Sequence, residues 1–275
     1  MYPKLLELGP FTLYTYGVLL AAAYLLGLQM ALARAGRHGL DRARVMDLGI
    51  YIIVAALVGA KLLLVAVDFR HFAENPADLL SLARSGGVFY GGLILAFAVA
   101  VWYVRRHRMP VWPVGDAIAP GIALGHVVGR LGCFMAGCCY GRETDVPWAV
   151  TFTNPEASAN VGTPLGVPLH PTQLYEAGAE LLILAGLLAL ERRGRAFPGR
   201  TFWTYLLVYG VSRFVIEFYR GDPRGMVAGG LSTSQFISAI LVPLSAAMLV
   251  WLGRRREAPA PLRAPVRAAP RRSRS

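Results

Sequence analysis

Residues 45–67 read VMDLGIYIIVAALVGAKLLLVAV, an apolar run with one aspartate near its start and one lysine near its end. Crossing a hydrocarbon core of roughly 30 Å takes about 20 residues of helix, so this stretch is long enough to span a membrane. Similar runs lie near 11–33, 86–104, 112–134, 172–190, 201–219 and 231–252. Composition agrees: 55% of the 275 residues are hydrophobic and 16% charged, and the mean hydropathy is +0.48, too apolar for a soluble domain of this length. The expectation is an all-α polytopic membrane protein with seven transmembrane helices.

The run at 11–33 is longer than a signal-peptide core, and its positive charges (Arg34, Arg37, Arg42, Arg44) follow it, which favours a retained helix over a cleaved leader. Lysine and arginine concentrate in cytoplasmic loops. The segments RAGRHGLDRAR (34–44), RRHR (105–108), ERRGR (191–195) and GRRR (253–256) follow the first, third, fifth and seventh runs. That pattern predicts an outside N-terminus and a cytoplasmic C-terminus. Residues 1–252 then form one membrane domain, with an outer loop region at about 135–170, and 253–275 a basic disordered tail. The net charge of +12 does not argue for nucleic acid, because eight arginines crowd into the last 22 residues among prolines and alanines. Such a tail is attracted to anionic lipid headgroups. No internal repeat is read, so an inverted-repeat transporter gains nothing.

An ionisable side chain at the centre of a membrane helix costs roughly 2.5–3.5 kcal/mol, which makes each one a functional candidate. The second run carries Lys61, the fourth Asp116, His126 and Arg130, and the sixth Tyr205, Tyr209, Arg213, Glu217 and Arg220. Tyr205, Tyr209, Arg213 and Glu217 recur every four residues, along one helical face. His126, Arg130 and Cys133 stand at i, i+4 and i+7, with Gly125, Gly129 and Gly132 admitting a close neighbour. At a ~1.5 Å rise per residue, Arg130 and Arg213 both reach the outer half of the membrane, and Tyr16, Tyr90 and Lys61 reach a similar depth. Cations beneath the outer headgroups, facing tyrosines, suit a phosphate held at the membrane surface. The plainer alternative is an Arg213–Glu217 pair that stabilises its own helix and an Arg130 that snorkels to the headgroups.

Six blocks, in order along the chain, carry a resemblance: YTYG (14–17), YGGLI (90–94), GDAIAP (115–120), GRLGCF (129–134), HPTQLYE (170–176) and YGVSRFVIEFYRGDP (209–223). Together they resemble the prolipoprotein diacylglyceryl transferase family. The resemblance implies an enzyme of the bacterial inner membrane that transfers the diacylglyceryl group of phosphatidylglycerol to the lipobox cysteine of a prolipoprotein. The products are a thioether and glycerol phosphate, in the first step of lipoprotein maturation. It further implies no cofactor, no metal and no nucleic-acid partner, a monomer, and an active site toward the outer leaflet. By the match, Arg130 and Arg213 are the essential arginines, and Tyr16, Asp116, Tyr209 and Glu217 are site positions. Gly91, Gly92, His170, Gln173 and Lys61 complete the candidate substrate-binding set.

The implied chemistry suits these residue types. A cysteine thiol with a pKa near 8.5 needs a base or cation to raise its thiolate fraction. The departing phosphate monoester gathers negative charge that a guanidinium stabilises. Two departures from the family pattern stand out: Tyr90 replaces the usual histidine of HGGLIG, and Cys133 and Cys138 replace an asparagine and an acidic residue. Tyr90, with a reference pKa near 10, is a weak base. His126, one turn before Arg130, is the candidate replacement for the missing imidazole; its alternative is a satisfied buried hydrogen-bonding residue.

The connection 141–169, rich in proline, threonine and valine, reads as an outer loop with short extended pieces, and HPTQLYE as a helix start with Pro171 in the first turn. For Cys133, Cys138 and Cys139 three readings stay open. They are thiols that pack the cavity rim, a disulfide from Cys133 to Cys138 or Cys139, or zinc ligands, although the C-x4-C-C spacing fits no common zinc pattern. Rival functions are a transporter for an anionic solute and a non-catalytic protein that binds anionic phospholipid.

Overall fold

In chain order, the computed structural model holds hairpin strands β1 (Lys4–Leu8) and β2 (Phe11–Tyr14), then α1 (Thr15–Ala35), α2 (Arg42–Val67), α3 (Phe69–Glu74), α4 (Phe89–Arg106) and α5 (Val111–Ala136). There follow β3 (Val150–Thr151), α6 (Pro155–Val161), β4 (Pro168–Leu169), α7 (Thr172–Arg192), α8 (Arg200–Glu217) and α9 (Thr233–Arg254). The structure describes residues 2–8, 11–78, 87–194, 197–222, 225–227 and 229–255. The tail expected at 253–275 begins inside α9, which runs to Arg254, and from residue 256 onward it lies outside the described residues.

Every apolar run becomes a helix. Six of them, α1, α2, α4, α5, α7 and α9, are long and apolar enough to cross a membrane. The expected sixth crossing, α8, falls short by composition because its 18 residues include Arg200, Arg213 and Glu217. The first run also needs a correction. Its opening residues Phe11–Tyr14 pair with β1 as a strand, and the helix begins only at Thr15. Thr15 explains the switch, since its N–H donates to Pro3 O at 2.9 Å and its hydroxyl to Tyr2 O at 2.5 Å.

Helix ends follow local chemistry. The Asp41 carboxylate accepts the Ala43 N–H at 2.9 Å at the start of α2. Ser232 and Gln235 form a reciprocal capping box on α9, which satisfies two otherwise orphaned donors. Gly137, at φ +83°, ends α5 in the left-handed region.

Contacts between helix ends give their directions. Arg34 near the end of α1 pairs with Glu191 near the end of α7, while Tyr16 near the start of α1 packs beside Gly132 near the end of α5. Ser234 at the start of α9 meets Arg213 near the end of α8. So α1, α4, α7 and α9 run one way and α2, α5 and α8 the other. Two crossings are close enough to require glycine. A Cβ on Gly121 would lie 2.4 Å from Gly27 O, and one on Gly91 would lie 2.3 Å from Gly59 O. The first seats α1 on α5 and the second α2 on α4, as small residues do between membrane helices.

At the Arg34 end, α1, α2, α4 and α5 share a core that includes Leu32, Val45, Leu48, Tyr103, Val104, Met109 and Val114. Leu62, Phe97, Leu182 and Ile240 stay exposed on the outward faces, a surface fit for lipid tails. At the opposite end the connection from α5 to α7 folds over the bundle around Tyr140, Phe152 and Leu169. Lys4 of β1 pairs with Glu156 of α6, and with Glu7 at 2.7 Å, so the hairpin is tied to that cap.

Candidate active site

Below the cap, α5, α7 and α8 bring three arginines around one carboxylate. Glu176, in the first turns of α7, places Oε2 2.6 Å from Arg130 Nη2. Its Oε1 lies 2.7 Å from Arg220 Nη1 and 3.8 Å from Arg213 Nη1. Arg213 Nη1 also stands 2.5 Å from Glu217 Oε2 on its own helix, and its Nη2 donates to Ser234 Oγ at 2.9 Å. Arg220 grips Asp222 with two parallel bonds, Nε to Oδ1 at 2.8 Å and Nη2 to Oδ2 at 2.9 Å.

Arg213, Arg220, Glu176 and Glu217 are all buried. Buried charge is tolerated only when paired and hydrogen-bonded, and here three guanidiniums face the carboxylates of Glu176, Glu217 and Asp222. Arg130 has the most exposed side chain of the three arginines, at 16%, and its Nη2 meets Glu176. The Arg213–Glu217 pair expected from i, i+4 spacing does form, but inside this network rather than as an isolated helix staple.

One turn along α7 from Glu176, Glu180 Oε1 lies 2.7 Å from Nδ1 of His126. Tyr205 OH stands 3.5 Å from the same nitrogen. The Tyr209 ring lies 5.4 Å from the imidazole and stacks at 5.8 Å on Tyr205. With Nδ1–H donating to the carboxylate, Nε2 keeps its lone pair and can take a proton. A small recess of about 10 Å³, room for about one water molecule, lies beside this pair, lined by Glu176, Ala179, Glu180, Tyr209, Ser212, Arg213 and Ile216. The site thus combines guanidiniums suited to an anion with an oriented imidazole.

The cap fixes Arg220. Arg142 N–H donates to Tyr219 O at 2.9 Å and Gly221 N–H to Tyr140 O at 3.1 Å, clamping the backbone on both sides of the arginine. Gly141 sits where three chains meet: its N–H donates to His170 O at 3.0 Å, and a Cβ there would fall 2.4 Å from His170 O and 2.8 Å from Tyr219 O. Only glycine fits such a crossing. Gln173 Nε2 and Thr172 Oγ1 donate to the carbonyls of Cys138 and Cys139 at 2.7 and 2.8 Å. His170 Nδ1 lies 3.0 Å from Tyr175 OH, which also accepts Trp148 Nε1–H at 2.7 Å. Gln173 and His170 therefore hold the cap together. Tyr16 neighbours Gly132 and the cysteine group on the α1 side.

Other expected site residues go elsewhere. Asp116 is the clearest: fourteen residues at ~1.5 Å each put it ~21 Å along α5 from Arg130. There its carboxylate accepts Gly199 N–H at 2.7 Å and Phe202 N–H at 2.9 Å, capping the start of α8. Gly91 and Gly92 pack on the α2 backbone at Gly59 and Ala56. Tyr90 is half-exposed on α4, its ring 5.7 Å from Phe89. Lys61 stands beside the same crossing on α2, partly buried. These four sit at the α2–α4 pair.

Glu176, Glu180, Asp222 and Ser234 are the contributors that the sequence reading did not single out as site residues, and Arg220 was noted without a role. One available signal was spacing: Gln173, Glu176 and Glu180 fall at i, i+3 and i+7 on an otherwise apolar helix, the same test that exposed the polar face of α8.

Comparison with known proteins agrees with the sequence blocks. The family model described as prolipoprotein diacylglyceryl transferase matches residues 3–251. Three similar proteins are each named phosphatidylglycerol–prolipoprotein diacylglyceryl transferase. The one from Clostridium tetani is 37% identical over 243 residues, covering 88% of this chain and 94% of the relative. The one from Corynebacterium efficiens is 34% identical, covering 92% and 82%. The one from Synechococcus elongatus is 31% identical, covering 91% and 87%.

Proposed function

The chain belongs to the prolipoprotein diacylglyceryl transferase family, and from that premise we propose how its residues move the diacylglyceryl group of phosphatidylglycerol onto the lipobox cysteine of a prolipoprotein. The observation that carries the reading is the ring of Arg130, Arg213 and Arg220 around Glu176. The lipid phosphate binds the Arg130 guanidinium, the most accessible of the three, together with Arg213. The acceptor thiol gives its proton to His126 Nε2, whose ring Glu180 holds in orientation. Sulfur then attacks the terminal glycerol carbon of the diacylglyceryl group as the C–O bond to phosphate breaks. The bonding pair passes to the phosphate oxygen, and the departing glycerol phosphate is stabilised by the guanidiniums. Tyr209 walls the recess and Glu217 fixes Arg213.

In this reading α8 crosses the membrane as the sixth of seven spans, its charges sheltered by α5, α7 and α9. The arginine-rich connections between helices face the cytoplasm, which sets the N-terminus and the site toward the outer leaflet of the bacterial inner membrane. The enzyme acts as a monomer without cofactor or catalytic metal. Tyr16 contributes to the acceptor side of the site, whereas Asp116, Gly91, Gly92, Gln173 and His170 act through the scaffold. The transporter reading has no support from the family or its named relatives.

The experiment is product release. Detergent-purified protein given phosphatidylglycerol and a lipobox peptide should liberate glycerol phosphate, and the same peptide with its cysteine replaced by serine should liberate none. Equal release with both peptides would overturn thiol transfer.

A further inference from the structure

The cysteines of the α5 terminus take no part in the chemistry above, yet they are arranged as a ligand set. Cys133 sits in the last turn of α5, and Cys138 and Cys139 follow the break at Gly137. All three are free thiols whose Sγ atoms lie within 4.8 Å of one another. Their convergence is built in by the cap. Gln173 and Thr172 anchor the carbonyls of Cys138 and Cys139, and Cys139 is held at φ +62°, a backbone region that non-glycine residues rarely adopt. Cys138 and Cys139 are partly accessible.

We propose that Cys133, Cys138 and Cys139 form a three-sulfur site for a soft monovalent d10 cation, with cuprous ion as its type. Thiolates select such ions over hard cations. Structural zinc takes four ligands, and among the described residues no fourth histidine, cysteine, aspartate or glutamate ligand atom joins the group. Three sulfurs around one cuprous ion carry net negative charge, which Arg130 and Arg220, both close enough to act on the charge of Cys139, offset. Thiol protons leave to solvent as the metal–sulfur bonds form, and no oxidation state changes. An ion there would tie the last turn of α5 to the turn that follows it.

The test uses the full chain in detergent, reduced and kept free of oxygen, titrated with cuprous ion against a chromogenic cuprous chelator. The expected result is one copper held per chain. Copper should also protect Cys138 and Cys139 of the unaltered protein from maleimide labelling, a readout that needs no variant. Cys133→Ser, Cys138→Ser and Cys139→Ser should each weaken retention by at least about tenfold. The proposal is overturned if the unaltered protein retains no copper, if labelling proceeds equally with and without it, or if the serine variants hold copper as well as the parent. Displacement of copper by equimolar zinc would overturn the three-coordinate assignment.

Discussion

Replacing Glu176 by glutamine keeps the side-chain volume and removes the one charge shared by three guanidiniums. The contacts at 2.6, 2.7 and 3.8 Å show what is lost. At an effective dielectric of about 20, opposite charges ~4 Å apart attract by roughly 4 kcal/mol, and the attraction rises at shorter range. Desolvation of both partners offsets much of that gain. The measured cost of deleting one member of a buried pair, about 3–5 kcal/mol, is therefore the better guide. For a chain of this size each kcal/mol moves Tm by about 2–4 °C, so Glu176→Gln should unfold on the order of 10 °C below the parent in detergent. The surplus cation has a second consequence. Inorganic phosphate or a phosphatidylglycerol headgroup analogue should raise the Tm of the variant more than that of the parent, because the anion supplies the missing countercharge. Adding Arg130→Gln should recover part of the loss, as coupled residues in one network do not behave additively. A Glu176→Gln protein that melts within about 2 °C of the parent, with no greater response to phosphate, would refute the central role given to this carboxylate.

Four further outcomes follow from the contacts. His126→Gln should lower kcat by about 10²-fold or more, as loss of general-base catalysis does, and Glu180→Gln should lower it less. Combining the two should cost no more than His126→Gln alone, which steady-state kinetics with a lipobox peptide checks. Asp116→Ala removes the acceptor for two N–H groups at the α8 start. It should cost about 0.5–2 kcal/mol in thermal stability while leaving activity of the folded protein near the parent value. Gly91→Ala forces α4 off Gly59 and should cost about 1–3 kcal/mol by overpacking; a neutral result in a melting experiment would contradict that crossing. Arg220→Lys cannot reproduce the fork on Asp222 together with the Glu176 contact, and should reduce both activity and Tm despite the retained charge.

Much of the fold could be read from local signals. Apolar length alone located the helices to within a few residues, and the i+4 recurrence in α8 located its polar face. The hairpin at the N-terminus was missed because its residues 11–14 are as apolar as the helix they precede, and only pairing with β1 reveals them as a strand. The site was legible where charge stood out against an apolar background, as with Arg130 and Arg213. It was not legible where a polar residue has an ordinary local explanation. Glu176 stands near a helix start, where acidic residues are common, and its role depends on α7 packing against α5 and α8. Asp116 shows the converse case. A family block carried it into the binding set, although its spacing from Arg130 along one helix already put it at the far end of the bundle, where it caps α8.

The central claim, that the arginine cluster serves transfer of a diacylglyceryl group to a thiol, is tested most directly by the mass of the acceptor. Purified protein is incubated with phosphatidylglycerol of defined acyl chains and a lipobox peptide, beside Arg130→Gln and a relative of known activity. The peptide should gain one diacylglyceryl unit at its cysteine with the parent and the relative, and almost none with Arg130→Gln. An unmodified peptide with the parent while the relative reacts, or full modification by Arg130→Gln, would contradict the account.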